Sequence, residues 1–169
     1  MTHQSPSPSF LSCHQDGLLH LSAESLLDLL KAVIEKGAPF RFRATGTSMS
    51  PFIKDGDVVT VSPCPGRDVQ LGDVVAIGPP PNGRLIVHRV VGRKGDHLFI
   101  QGDNRAEGDG LIPRVNIYGR VTRIERKGKA VTLGLGIERF LIAFLVRRGW
   151  LLPLMIPLWR TLRPFLRRS

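Results

Sequence analysis

The sequence predicts a mainly β domain with one amphipathic helix before it and an apolar, Arg-rich helical tail after it. Three observations carry that expectation. Between residues 39 and 130 the apolar runs are short, β-branched and alternate with period two. Gly, Pro, Asn and Asp separate those runs at the intervals that turns require. On either side the pattern changes, to a helical period before residue 39 and to Arg mixed with Leu, Phe and Trp after residue 130. A chain of 169 residues is the length of one domain with appendages and can bury a real core. The organisation expected is a flexible arm over 1–20, a helix over 21–38, a β domain over 39–130 and a membrane-associating tail over 131–169.

The opening "MTHQSPSPSFLSCHQDG" is polar, with no basic n-region and no apolar run, so it reads as an arm rather than a secretory leader. "LSAESLLDLLKAVIEKGAP" then places Leu26, Leu29, Leu30 and Val33 on one helical face. Ser22 is the expected N-cap, and Gly37 and Pro39 stop the helix. From Pro39 the strands follow: "FRFRAT" (40–45), "DVVTV" (57–61), "DVVAI" (73–77), "RLIVHRVV" (84–91), "DHLFIQ" (96–101), "IYGRVTRI" (117–124) and "KAVTL" (129–133). Asn82-Gly83 fits a tight hairpin turn. Five Gly-Asp pairs punctuate the domain and read as turn chemistry. The tail breaks its apolar runs with Arg147, Arg148, Pro153, Pro157 and Pro164, which disfavours a single membrane span. An interfacial segment fits it better, with docking on the β domain or self-association as alternatives.

The net charge of +10 is uneven. Residues 1–38 carry two Lys against four acids, whereas 131–169 carry seven Arg against one Glu. A basic balance points to nucleic acid or to an anionic membrane. The Trp, Leu and Phe beside the tail's Arg favour the membrane, giving a peripheral location whose side is not specified. With one Tyr, and both Trp in the tail, no stacking platform for bases is evident, so nucleic acid is not the expected partner. Cys13 and Cys64 have neither metal spacing nor a CxxC arrangement.

Chemistry concentrates at "GTSMSP" (46–51). A serine hydroxyl needs an adjacent base and backbone N–H groups aimed at a developing oxyanion. Of five histidines, His3, His14 and His20 precede or begin the helical segment and His97 sits at a turn-to-strand junction. His88 lies within the most apolar strand, where a buried imidazole must be hydrogen-bonded. A serine on one ring nitrogen and a carboxylate on the other would satisfy it. "QGDNRAEGDG" offers Asp103 and Asp109 in a loop able to return towards His88. From the residues alone, either one fits as the orienting carboxylate, and both also fit plain Asx turns.

In order the chain reads "GTSMSPFIKDGDVVTV", "GDVVAI", "VHRVVG" and "IQGDNRAEGD". That succession resembles the signal peptidase I superfamily of serine peptidases, which includes the LexA-type self-cleaving repressors. It is most similar to the archaeal and endoplasmic-reticulum branch, where the base is histidine rather than lysine. The resemblance implies a signal-peptidase-like β fold of antiparallel coiled sheets. It implies Ser48 as nucleophile, His88 as base, Asp109 as the carboxylate that orients His88 and Asp103 as support for the loop. It also implies cleavage of an extended leader or precursor peptide after small residues, with no cofactor and no metal. Three features depart from the family: Gly46 stands where many signal peptidases carry a second serine, the usual N-terminal membrane anchor is not expected, and the Arg-rich tail is extra; Arg89 also places a cation beside His88. Two other functions remain open. A LexA-like self-cleaving regulator would need a DNA-binding module, and residues 1–38 offer one helix. A non-catalytic basic β-barrel would use "FRFR" and the surface charge.

Overall fold

A computed structural model describes residues 23–65, 68–78, 84–151 and 153–154. The arm, the N-cap Ser22, the Asn82-Gly83 turn, Cys13 and the tail beyond Leu154 lie outside the described residues. One eight-stranded antiparallel sheet forms the body, with two helices against it. The strands are β1 (Phe40–Arg43), β2 (Val58–Ser62), β3 (Val74–Ile77), β4 (Ile86–Lys94), β5 (His97–Gln101), β6 (Gly110–Pro113), β7 (Ile117–Arg126) and β8 (Lys129–Val131). They lie in the order β1-β2-β7-β3-β4-β5-β6, and β8 pairs with β7.

The long strand β7 joins two halves. Its first residues pair with β3, and its later ones with β2 and β8. Register shifts at Thr60/Val61, Ala76/Ile77 and Val90/Gly92 interrupt the ladders. Each shift adds local twist, which coils the sheet instead of leaving it flat. Two cores result. Leu30, Phe40, Val59, Val61, Val121 and Ile124 pack in one, and Val75, Ile77, Val90, Leu98, Ile100 and Ile112 in the other.

Helix α1 (Ala23–Glu35) buries Leu30 in the first core, with Leu26, Val33 and Ile34 packed beside it, and Leu27 is buried next to Gly78. Leu29 is on the expected apolar stripe but stays exposed. The helix ends where Gly37 takes φ +75° and its N–H donates to the Ile34 carbonyl. Strand β6 is the one strand the period did not anticipate. It is four residues long, begins at Gly110 and ends at Pro113, so it carries turn residues where a strand signal would be read. After β8 the chain folds into α2 (Arg139–Arg147), which buries Ile142, Ala143 and Val146 against Phe52 and Val91. The start of the tail is therefore docked on the β domain.

The Gly-Asp turns do more than reverse the chain. Asp57, Asp73 and Asp103 are buried, and each meets an arginine from a distant part of the sequence. Arg126 grips Asp57 with Nε and Nη2 at 2.9 and 2.7 Å. Arg120 lies 3.4 Å and Arg139 3.6 Å from Asp73. Burial pushes the Asp57 carboxyl up, but hydrogen bonds from Arg126 and the Lys54 N–H outweigh it, so the group is held below the usual carboxylate range.

Candidate active site

Ser48 stands in a tight turn leaving β1. Gly46 enters it at φ +88°, a left-handed conformation that favours glycine, and donates its N–H to Asp55 Oδ1 at 2.8 Å. The Ser50 N–H donates to the Thr47 carbonyl, and the Ile53 N–H to the Met49 carbonyl. Met49, Phe52 and Ile53 are buried, so the turn is anchored by its own apolar side chains while Ser48 stays half-buried. The N–H of Ser48 donates no hydrogen bond among the described residues.

His88 lies on β4, opposite Val75 of β3, and is 3% exposed. Its Nε2 is 2.9 Å from Ser48 Oγ, and its Nδ1 is 2.5 Å from Asp109 Oδ2. The buried ring thus has a partner at each nitrogen. If the carboxylate accepts from Nδ1–H, Nε2 is left as the acceptor facing the serine hydroxyl. Asp109 sits at the end of the loop leaving β5 and is tied to that strand by its own N–H, which donates to the Ile100 carbonyl at 2.8 Å.

Asp103 goes elsewhere. Arg89 follows His88 on β4, so its side chain leaves the opposite face of the strand. Its Nε and Nη2 donate to the two oxygens of Asp103, both at 2.8 Å. Its Nη1 donates to the carbonyls of Gly72 and Gly134, also at 2.8 Å. Arg89 has no exposed surface, and each of its three guanidinium nitrogens donates a hydrogen bond. Burial raises the Asp103 carboxyl above its ordinary range, and the Arg89 fork opposes that rise.

The same loop also reaches Ser48. The Asn104 N–H donates to the Ser48 carbonyl at 2.8 Å, and Asn104 Nδ2 to the Thr47 carbonyl at 3.2 Å. Gly102 fits because it lacks a side chain: a Cβ there would lie 2.7 Å from the Ser48 carbonyl oxygen and 3.0 Å from His88 Nε2. Reading the sequence gave Arg89, Gly102 and Asn104 no role at the site. The only signal was their position inside the quoted motifs.

Ser48 and His88 open onto a groove of about 700 Å³. Edge strand β1 forms one wall, Leu85, Ile86 and Val87 another, and Leu26 and Leu29 of α1 close part of it. This explains the exposed Leu29. His97 stands exposed at the start of β5, away from these lining residues.

A hydroxyl and an imidazole lining a groove beside edge strand β1, with a carboxylate behind the ring, make an arrangement suited to acyl transfer. The chain matches the Peptidase S24-like family over residues 12–122, about two thirds of its length, and belongs to that family. The family lies within the LexA and signal peptidase I superfamily and supports serine peptidase or self-cleaving activity. No curated protein matches the chain.

Proposed function

We propose that the protein is a serine endopeptidase of signal peptidase I type, of the serine–histidine branch, that removes a leader from an extended precursor. The observation that carries this reading is the hydrogen-bonded row Ser48–His88–Asp109 opening onto the groove. His88 Nε2 takes the proton as Ser48 Oγ attacks the scissile carbonyl. Asp109 holds the ring's tautomer and stabilises the imidazolium that forms. The Ser48 N–H, without a partner among the described residues, is a donor for the oxyanion. His88 then gives its proton to the leaving amine, and water releases the acyl group by the same route in reverse. Asp103 does not touch the ring; it fixes the loop that carries Asp109 by gripping Arg89.

Among the described residues no strand pairs with the outer edge of β1, which leaves it for an extended peptide. Met49, Ile53, Leu85 and Val87 make the groove apolar, which suits small apolar side chains beside the cut. The test is incubation with precursors bearing Ala-x-Ala sites and mapping of the products by mass spectrometry. Wild type should cut after the second Ala, and Ser48→Ala and His88→Ala should leave the precursor whole. Full activity in either variant sinks the reading.

A second reading, self-cleavage, draws on the family match and on α1, whose Leu26 and Leu29 line the groove that holds Ser48. It predicts that the pure protein converts slowly to two fragments at one bond, in a Ser48-dependent manner.

A further inference from the structure

Helix α2 lies beyond the family-matched segment and has two apolar faces. One is the buried face that packs Ile142, Ala143 and Val146 on β4. The other points outward. Phe140, Phe144 and Arg148 are four residues apart and Leu141 lies beside them, so all four share one side of the helix. Leu141 is 61% exposed, Phe144 47% and Trp150 53%. The Arg148 guanidinium lies 5.2 Å from the Phe144 ring centre and 5.9 Å from that of Trp150. A face of large apolar rings with a cation stacked among them is not an ordinary solvated helix surface.

The charge around it selects the occupant. Between residues 131 and 169 the only acid is Glu138. Its carboxylate is already engaged by backbone N–H groups, its own first and then those of Gly134 and Gly136, which hold it below the usual range. Two copies meeting through this face would bring cation towards cation with no carboxylate to answer them. A nucleic acid would meet Arg148 but leave the Phe, Leu and Trp surface unused. A bilayer with anionic headgroups answers both demands, since rings enter the headgroup boundary while guanidinium meets phosphate. Among the described residues no helix is long and apolar enough to cross a membrane. Residues lining the Ser48 groove include none from α2.

We propose that the outward face of α2, with Phe140, Leu141, Phe144, Trp150 and Arg148, is a docking surface for an anionic lipid bilayer, and that it seats the protein on the membrane with the groove left open. The claim is independent of the peptidase reaction and is tested in a Ser48→Ala background with the full chain. Trp159→Phe leaves Trp150 as the sole tryptophan. Its emission should shift to the blue with vesicles of equal parts phosphatidylcholine and phosphatidylglycerol, and stay unmoved with phosphatidylcholine alone. In co-sedimentation, Leu141→Glu/Phe144→Glu should weaken binding to the anionic vesicles roughly tenfold or more. The proposal is overturned if Trp150 emission does not respond, if the double variant sediments like its parent, or if the protein binds DNA but no vesicle. Should the double variant fail to fold, the Trp150 measurement, made on an unaltered face, decides alone.

Discussion

His88 and Arg89 are neighbours on one strand, and each holds an aspartate from one loop, yet the two pairs differ in kind. His88 lines the groove, and Asp109 behind it keeps part of its surface exposed. Arg89–Asp103 is sealed, with every guanidinium nitrogen and both carboxylate oxygens engaged. A pair that must pass a proton needs one nitrogen left for a reacting partner. A pair that must hold a loop needs none. The alternation of a β-strand separates the two functions by one residue, without any change of secondary structure.

The sharpest way to break that comparison is at Asp109. Asp109→Asn should lower the peptidase rate about ten-thousandfold by favouring the wrong imidazole tautomer, with little change in thermal unfolding. Asp103→Leu should do the reverse in order of cause: it strands a buried guanidinium and destabilises the fold by about 3–5 kcal/mol in urea titration. Replacing both partners, as Arg89→Met/Asp103→Leu, should recover most of that loss, whereas no companion change at His88 would rescue Asp109→Asn.

Gly102→Ala sharpens the comparison at the point where the pairs meet. Its methyl group would push on the Ser48 carbonyl and the His88 ring, so a loss of about a hundredfold in rate is expected with a folded protein by circular dichroism. The smallest effect is expected at Asp57, a buried aspartate remote in function. Asp57→Asn should cost about 1–2 kcal/mol at neutral pH. Because the folded carboxyl is held low, its contribution is present above the unfolded value near pH ~3.9 and is lost as pH falls through the folded value. The gap between wild type and variant should therefore close in acid, as read by melting temperature against pH.

Much of the sheet was legible because strand residues state their own period. Phe40 and Phe42 alternating with Arg41 and Arg43, or Val59 and Val61 with Thr60, need no partner to be recognised. β6 was not legible because its four residues begin and end in turn formers, and it exists through pairing with β5. A helical tail was expected, but its docking was only one alternative, because burial of Ile142, Ala143 and Val146 depends on a β4 surface that no local window contains. At the site, Ser48 and His88 could be singled out by residue chemistry. Which aspartate lies against which partner could not, since the choice between Asp103 and Asp109 turns on how a loop closes over two faces of a strand. Arg89 looked like a charge beside an imidazole. Its burial is a property of the assembled fold.

The loop after β5 touches the Ser48 backbone through Asn104, the imidazole through Asp109 and the interior through Asp103, all within a few residues. It acts as a jig, clamping separate strands into mutual alignment. A single protease nick between Arg105 and Gly108 would leave every strand in place yet release the clamp, yielding a molecule that keeps its shape and loses its trade.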